Sequence, residues 1–112
     1  MKIYGIKNCN TMQKAFKALD DKGITYTFHD YKKLGIDAET LKQWSSKLGY
    51  EKLINKSGLT WKKLDDATKA SVKDEASAIA LIMQNNSMIK LPIIDTGKGL
   101  ILGFDEAAIN SL

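Results

Sequence analysis

The sequence predicts an α/β fold in which a β-α-β unit and a β-β-α unit flank a helical middle. Three observations carry this reading. Apolar spacing is strand-like over residues 3–6, helix-like from Thr11, and strand-like again over residues 24–29. Helix-spaced residues then run through to Asn85-Asn86. Two short apolar runs around Thr96-Gly97-Lys98-Gly99 then form a hairpin pattern near the end of the chain.

Each element has its own signal. Residues 3–6 hold an aromatic and two β-branched side chains, and Lys7-Asn8-Cys9-Asn10 interrupts them. Met12, Ala15, Phe16 and Leu19 then fall at i, i+3, i+4 and i+7, one apolar face of a helix that Gly23 ends. Ile24-Thr25-Tyr26-Thr27-Phe28-His29 alternates and reads as the second strand. Two strands joined by one helix imply a parallel pair with a right-handed crossover. Asp37 caps a helix carrying Leu41, Trp44, Ser45 and Leu48, which Gly49 closes. Residues 50–58 read as an amphipathic turn entering a loop. Trp61, Leu64, Ala67 and Thr68 suggest one further short helix, and Asp74 opens a strong one through Met83. Residues 91–95 and 100–103 are the hairpin strands, with the only proline, Pro92, at a strand start where a missing N–H does least harm. Asp105 caps a final helix through Leu112.

A length of 112 residues is one domain's worth. Hydrophobic residues at 44% and charged residues at 27% are ordinary for a globular chain. The longest apolar run, residues 78–83, is far too short for a membrane span, and residues 1–5 lack a secretory pattern. One cysteine excludes an internal disulfide and a cysteine-cluster metal site, so a reducing cytoplasmic compartment is expected. The formal net charge is +4, yet all seventeen cations are lysines, interleaved with acids, and there is no arginine. Lysine lacks the planar fork that arginine offers to phosphates and bases. No nucleic-acid partner, no membrane and no metal are expected, and nothing demands more than a monomer.

Cys9 is the nucleophile candidate. It lies between a strand end and a helix start, where free backbone N–H groups and the helix dipole favour an anion. Thiolate is the reactive form of cysteine. Asn8, Asn10 and Thr11 are polar neighbours suited to stabilising it. The competing reading is a small buried hydrophobe, and both stand at this point. Met12 occupies the place of a local resolving thiol, so any disulfide chemistry would be monothiol. His29, the only histidine, reads more readily as a structural strand-end residue than as a base for Cys9. Asn55, Lys56, Ser57, Gly58, Thr60 and Trp61 form either an anion-binding patch or a solvated loop. Trp44 and Trp61 read as packing residues.

The segments around Tyr4-Gly5-Ile6-Lys7-Asn8-Cys9-Asn10-Thr11, Phe28-His29-Asp30-Tyr31-Lys32-Lys33, residues 53–64, Ile89-Lys90-Leu91-Pro92-Ile93-Ile94 and Leu102-Gly103-Phe104-Asp105-Glu106 resemble, in order, the arsenate-reductase-like ArsC/Spx/YffB proteins. The similarity covers essentially the whole chain and is strongest to the YffB-like branch. It implies one thioredoxin-like (glutaredoxin-type) domain over residues 1–112, with a core of about 1–34 and 88–112 and a helical insertion of about 35–87. It also implies that Pro92 is the family's cis-proline near the reactive cysteine. The arsenate reductases surround that cysteine with three oxyanion-binding arginines. Their places fall on Asn55, Leu91 and Phe104, so this chain lacks the clamp.

Residues and resemblance together lead to a cytosolic monothiol thiol-disulfide oxidoreductase with Cys9 as nucleophile. Glutathione is the expected co-substrate, with a small redoxin as the other source of the resolving thiol and an oxidised-thiol protein as a further substrate class. Pro92 would shape the edge receiving the substrate, and Lys7, Lys56 and Lys90 would attract its negative charge. Two alternatives remain open: a glutaredoxin-dependent arsenate reductase, and a Spx-like regulator binding RNA polymerase. No bound cofactor is expected.

Overall fold

The computed structural model describes residues 1–112. The chain divides into two compact units, one built from Met1–Leu34 with Leu91–Leu112 and the other from Gly35–Lys90. The first unit holds a four-stranded sheet. Its strands are β1 (Lys2–Gly5), β2 (Thr27–Asp30), β3 (Ile93–Asp95) and β4 (Leu100–Leu102), in the spatial order β2-β1-β3-β4. β1 runs parallel to β2, with Ile3 level with Phe28 and Gly5 level with Asp30. β3 lies antiparallel to β1 and to β4. The helices of this unit are α1 (Asn10–Asp21), α2 (Tyr31–Leu34) and, last in the chain, α7 (Glu106–Asn110). A β-α-β unit and a β-β-α unit in this strand order form the thioredoxin-like fold that the sequence resemblance implies.

Side-chain alternation decides what each sheet face carries. Ile3 and Ile94 meet Met12, Ala15 and Leu19 of α1 and Ile109 of α7, all fully buried. Gly5 lies on this same face by alternation. A Cβ there would overlap the Sδ and Cε atoms of Met12, so the missing side chain is what lets the thioether rest on β1. Tyr4 and Ile93 point the other way and are also buried.

α1 ends where Gly23 adopts φ +69° and donates to the Asp20 carbonyl at 2.9 Å. The expected second strand is shorter than the alternation suggested. The Ile24 N–H is taken by the Leu19 carbonyl at 3.0 Å, which closes the helix end and delays strand pairing until Thr27. Ile24 and Tyr26 instead pack against the α1 side of the sheet. α2 is unannounced in the sequence because four residues carry no period. The Asp30 carboxylate starts it by accepting from the Lys32 N–H at 2.9 Å.

In the second unit, α3 (Ala38–Leu48) is capped by Asp37, which accepts from the Thr40 N–H at 2.8 Å, and Gly49 closes it at φ +87°. The helix expected around residues 61–68 is two: α4 (Leu59–Lys62) and α5 (Asp66–Ala70). Asp65 separates them because its carboxylate accepts from the Thr68 N–H at 2.7 Å, a new start signal inside the apolar pattern. α6 (Glu75–Gln84) opens with a reciprocal Asp74–Ser77 capping box. Its Glu75 Oε2 accepts from the Ser45 hydroxyl of α3 at 2.8 Å. Ile54 and Ile89 form an isolated bridge, supported by Asn55 N to Met88 O at 2.8 Å and Lys90 N to Leu53 O at 2.7 Å. Such long-range pairing leaves no local signature. No helix is long and apolar enough to cross a membrane.

Gly5→Ala should cost about 1–3 kcal/mol, the usual range for overpacking a filled core. A urea titration checks it, and adding Met12→Ala should make the alanine at position 5 less costly than it is alone. Hydrogen bonds from Thr68 and Ser77 hold the Asp65 and Asp74 carboxyls below the usual carboxylate range. Stability from a depressed carboxyl is complete above its unfolded value and is lost as pH falls through its folded one. Asp65→Asn with Asp74→Asn should therefore flatten the acid limb of stability against pH, read from urea midpoints taken from neutral into acid.

Candidate active site

β1 ends at Gly5, and residues 6–9 carry the chain from the sheet into α1. Cys9 is the residue that starts the helix, with extended backbone angles of φ −140° and ψ 132°. Its carbonyl accepts the first helical bond, from Gln13 N at 3.0 Å. Its side chain makes no capping hydrogen bond, and the thiol is free and half-buried. The Gln13 amide reaches back to the Lys7 carbonyl at 3.2 Å and ties the loop to the first turn. Asn8 and Asn10 are exposed beside the cysteine, and Thr11 is half-buried.

The Leu91–Pro92 peptide bond is cis. Pro92 is buried and leads directly into β3. Its carbonyl accepts from Gly103 N at 2.8 Å, extending the β3–β4 ladder by one step. The β1–β3 register pairs Tyr4 with Ile93, and one further step brings Gly5 level with Pro92. The loop to Cys9 thus leaves the sheet at the end where β3 enters it.

On its buried side Cys9 meets apolar neighbours. Cys9, Leu91 and Phe104 all pack against the Ile3–Met12–Ile94–Ile109 cluster. Leu91 and Phe104 are two of the places where the resemblance sets clamp arginines. The third, Asn55, belongs to the second unit, as do Lys56 and Lys90. Lys56 Nζ stands 5.6 Å from the centre of the Trp61 ring, a cation–π contact. Trp44 is buried and Trp61 half-buried.

His29 lies on the sheet face opposite Cys9. Its ring is 4.9 Å from Tyr4, its register partner, and 6.2 Å from Tyr31, ring centre to ring centre. This is aromatic packing, and it separates the only histidine from the only thiol. Burial, and after it the neighbouring Tyr4 phenol, pushes the Tyr31 hydroxyl well above the usual tyrosine range.

Asp30 is a buried acid at 9% exposure, level with Gly5. Its only sequence signal was a charged residue directly after a β-forming run.

The model of the ArsC family matches residues 4–112. A Haemophilus influenzae protein described as uncharacterized is 43% identical over 105 residues, covering 93% of this chain and 90% of its own. Among solved structures, a YffB protein superposes with a TM-score of 0.93 at 44% identity, over 98% of this chain and 96% of that one. An arsenate reductase (ArsC) related protein from Brucella melitensis superposes with a TM-score of 0.77 at 45% identity, over 98% and 91%.

A phenol with a raised folded value stabilises fully below its unfolded value of roughly 10, and that stability is lost as pH rises through the folded value. Tyr31→Phe should flatten the alkaline loss of stability, whatever its effect at neutral pH, as read from urea midpoints on the alkaline side.

Proposed function

Because the chain belongs to the ArsC family, we propose that it is a thiol-dependent reductase acting on disulfides, with Cys9 as its single nucleophile. The observation that carries the reading is the position of the free thiol. Cys9 starts α1 at the end of the short loop that follows β1, in the same unit as Pro92. A helix start offers unpaired N–H groups and the positive end of the dipole to whatever anion sits there. Asn8, Asn10 and Thr11 add polar groups around the sulfur, and Pro92 forms the edge along which an extended thiol substrate lies.

The chemistry is monothiol. The Cys9 thiolate attacks one sulfur of a glutathione mixed disulfide, forms a Cys9–glutathione disulfide and expels the substrate thiolate, which takes a proton. A second thiol, from glutathione or a small redoxin, then attacks the glutathione sulfur and returns Cys9 as thiolate. One substrate disulfide is reduced and one new disulfide leaves, so the electron pair is accounted for. Met12 cannot serve as the second thiol, and its thioether is fully buried against Gly5. Lys7, in the Cys9 loop, is the cation nearest in sequence for an anionic co-substrate, and Lys56 and Lys90 are further candidates. A reducing cytoplasmic setting and a monomeric protein belong to the same reading.

Arsenate is the poorer substrate on this reading. Its charge calls for bidentate donors. Leu91 and Phe104 present hydrocarbon where such donors would stand, and the chain has no arginine.

Cys9→Ser should reduce turnover of a glutathione mixed disulfide to the uncatalysed rate, followed with glutathione, glutathione reductase and NADPH. Its melting temperature should stay close to the parent's. Activity that survives the substitution would sink the proposal. So would thiol consumption driven faster by arsenate than by the mixed disulfide.

A further inference from the structure

Beside the Cys9 loop lies a cavity of about 260 Å³, lined by Lys7, Phe28, Asp30, Lys33 and Leu34. We infer that it receives the α-amino-acid head, ammonium and carboxylate together, of a small acidic thiol peptide whose sulfur is presented to Cys9. The inference rests on the disulfide-reductase reading above and locates the head-group subsite for that substrate.

The placement follows from the sheet. Phe28 and Asp30 are two apart on β2 and share a face. Phe28 packs against the α1-side core, so both lie on the face that carries Cys9, opposite His29. Asp30 is level with Gly5, where β1 ends and the loop to Cys9 begins. The cavity therefore sits at the carboxyl ends of the two parallel strands, where β1 hands over to the Cys9 loop. Lys7 stands two residues before Cys9, so their Cα atoms are at most about 7 Å apart. A γ-linked glutamyl-cysteine step covers a similar length.

The lining matches a zwitterion. Lys7 and Lys33 are exposed, and neither is engaged in an ion pair; the chain's one close ion pair joins Lys17 Nζ to Asp21 Oδ2 at 2.9 Å. These two ammonium groups suit a carboxylate. Asp30 is buried, and its Oδ1 accepts from the Lys32 N–H at 2.9 Å. A carboxylate held this way keeps lone pairs for a ligand ammonium. Half-buried Phe28 and Leu34, which is 67% exposed, supply an apolar wall for the methylenes between the head and the sulfur. At this volume, below the roughly 300–1,000 Å³ of sites for drug-sized ligands, the cavity suits a head group rather than a whole tripeptide.

The probe is S-methylglutathione, whose capped sulfur cannot react, titrated into the full chain and followed by amide NMR. Shifts are expected at Lys7, Asp30 and Lys33. Lys33→Glu, an exposed substitution with little risk to the fold, should weaken binding at least fivefold. N-acetyl-S-methylglutathione, which has lost the ammonium, should bind the parent protein about as poorly. In the coupled assay Lys33→Glu should raise KM for the glutathione mixed disulfide by a similar factor. Equal affinity of parent and Lys33→Glu, an N-acetylated probe that binds as well as the free one, or shifts confined to residues outside the cavity would overturn the subsite. If the probe shifts the cavity but Cys9-dependent turnover is absent, the reductase reading falls and the subsite stands. If turnover is present and its KM ignores Lys33→Glu, the subsite falls and the reductase reading stands.

Discussion

The contact between Met12 and Gly5 is the constraint on which the placement of Cys9 depends. Gly5 carries no side chain, so the Met12 thioether rests directly on β1. Met12 is the third residue of α1, and Ala15 and Leu19 continue the same buried stripe. Seating that stripe fixes the start of the helix against the sheet. Cys9, three residues earlier, is thereby held at the helix start with its sulfur half-buried. A bulkier residue at position 5 would drive the Met12 thioether off β1 and disturb that seating.

The same geometry fixes what stands one helical turn from Cys9. The residue three places after Cys9 is turned into the core by helical periodicity. In this chain it packs as hydrocarbon and thioether, with no surface exposed. Position 12 therefore supports the start of α1 structurally and offers Cys9 no second thiol. The charge pattern acts in the same direction. Leu91 and Phe104 extend the apolar cluster against which Cys9 packs. The cations of the Cys9-bearing unit lie on its outside, as flexible lysines that suit carboxylates better than a compact tetrahedral oxyanion.

The two faces of the sheet divide the labour. One face, covered by α1 and α7, carries the apolar cluster, Cys9 and the Phe28–Asp30 edge. The other carries Tyr4, His29 and Tyr31 as an aromatic cluster, with Tyr4 stacked on Tyr31 and tilted against His29. A one-residue offset along β2 separates Asp30 from His29, and strand alternation converts that offset into opposite faces. Local sequence left open whether His29 serves Cys9, and the pleat of the sheet answers it.

Local chemistry is legible in this chain wherever a short-range rule applies. Asp37, Asp74 and Asp105 cap helices because a carboxylate accepts an N–H three residues on. Gly49 ends a helix at positive φ, the i, i+3, i+7 stripe of α1 faces the core, and the turn at residues 96–99 makes a hairpin. Those signals sufficed for the α/β string and for a thiol at a strand-to-helix junction. Only the tertiary structure decided what depends on residues far apart in the chain: the Ile54–Ile89 bridge, the level pairing of Gly5 with Asp30, the delay of β2 to Thr27, and the shared packing of Cys9, Leu91 and Phe104. The physical reason is that caps, turns and stripes act through neighbours within a few residues. Strand register and a cavity's lining are settled only when distant segments compete for the same buried surface.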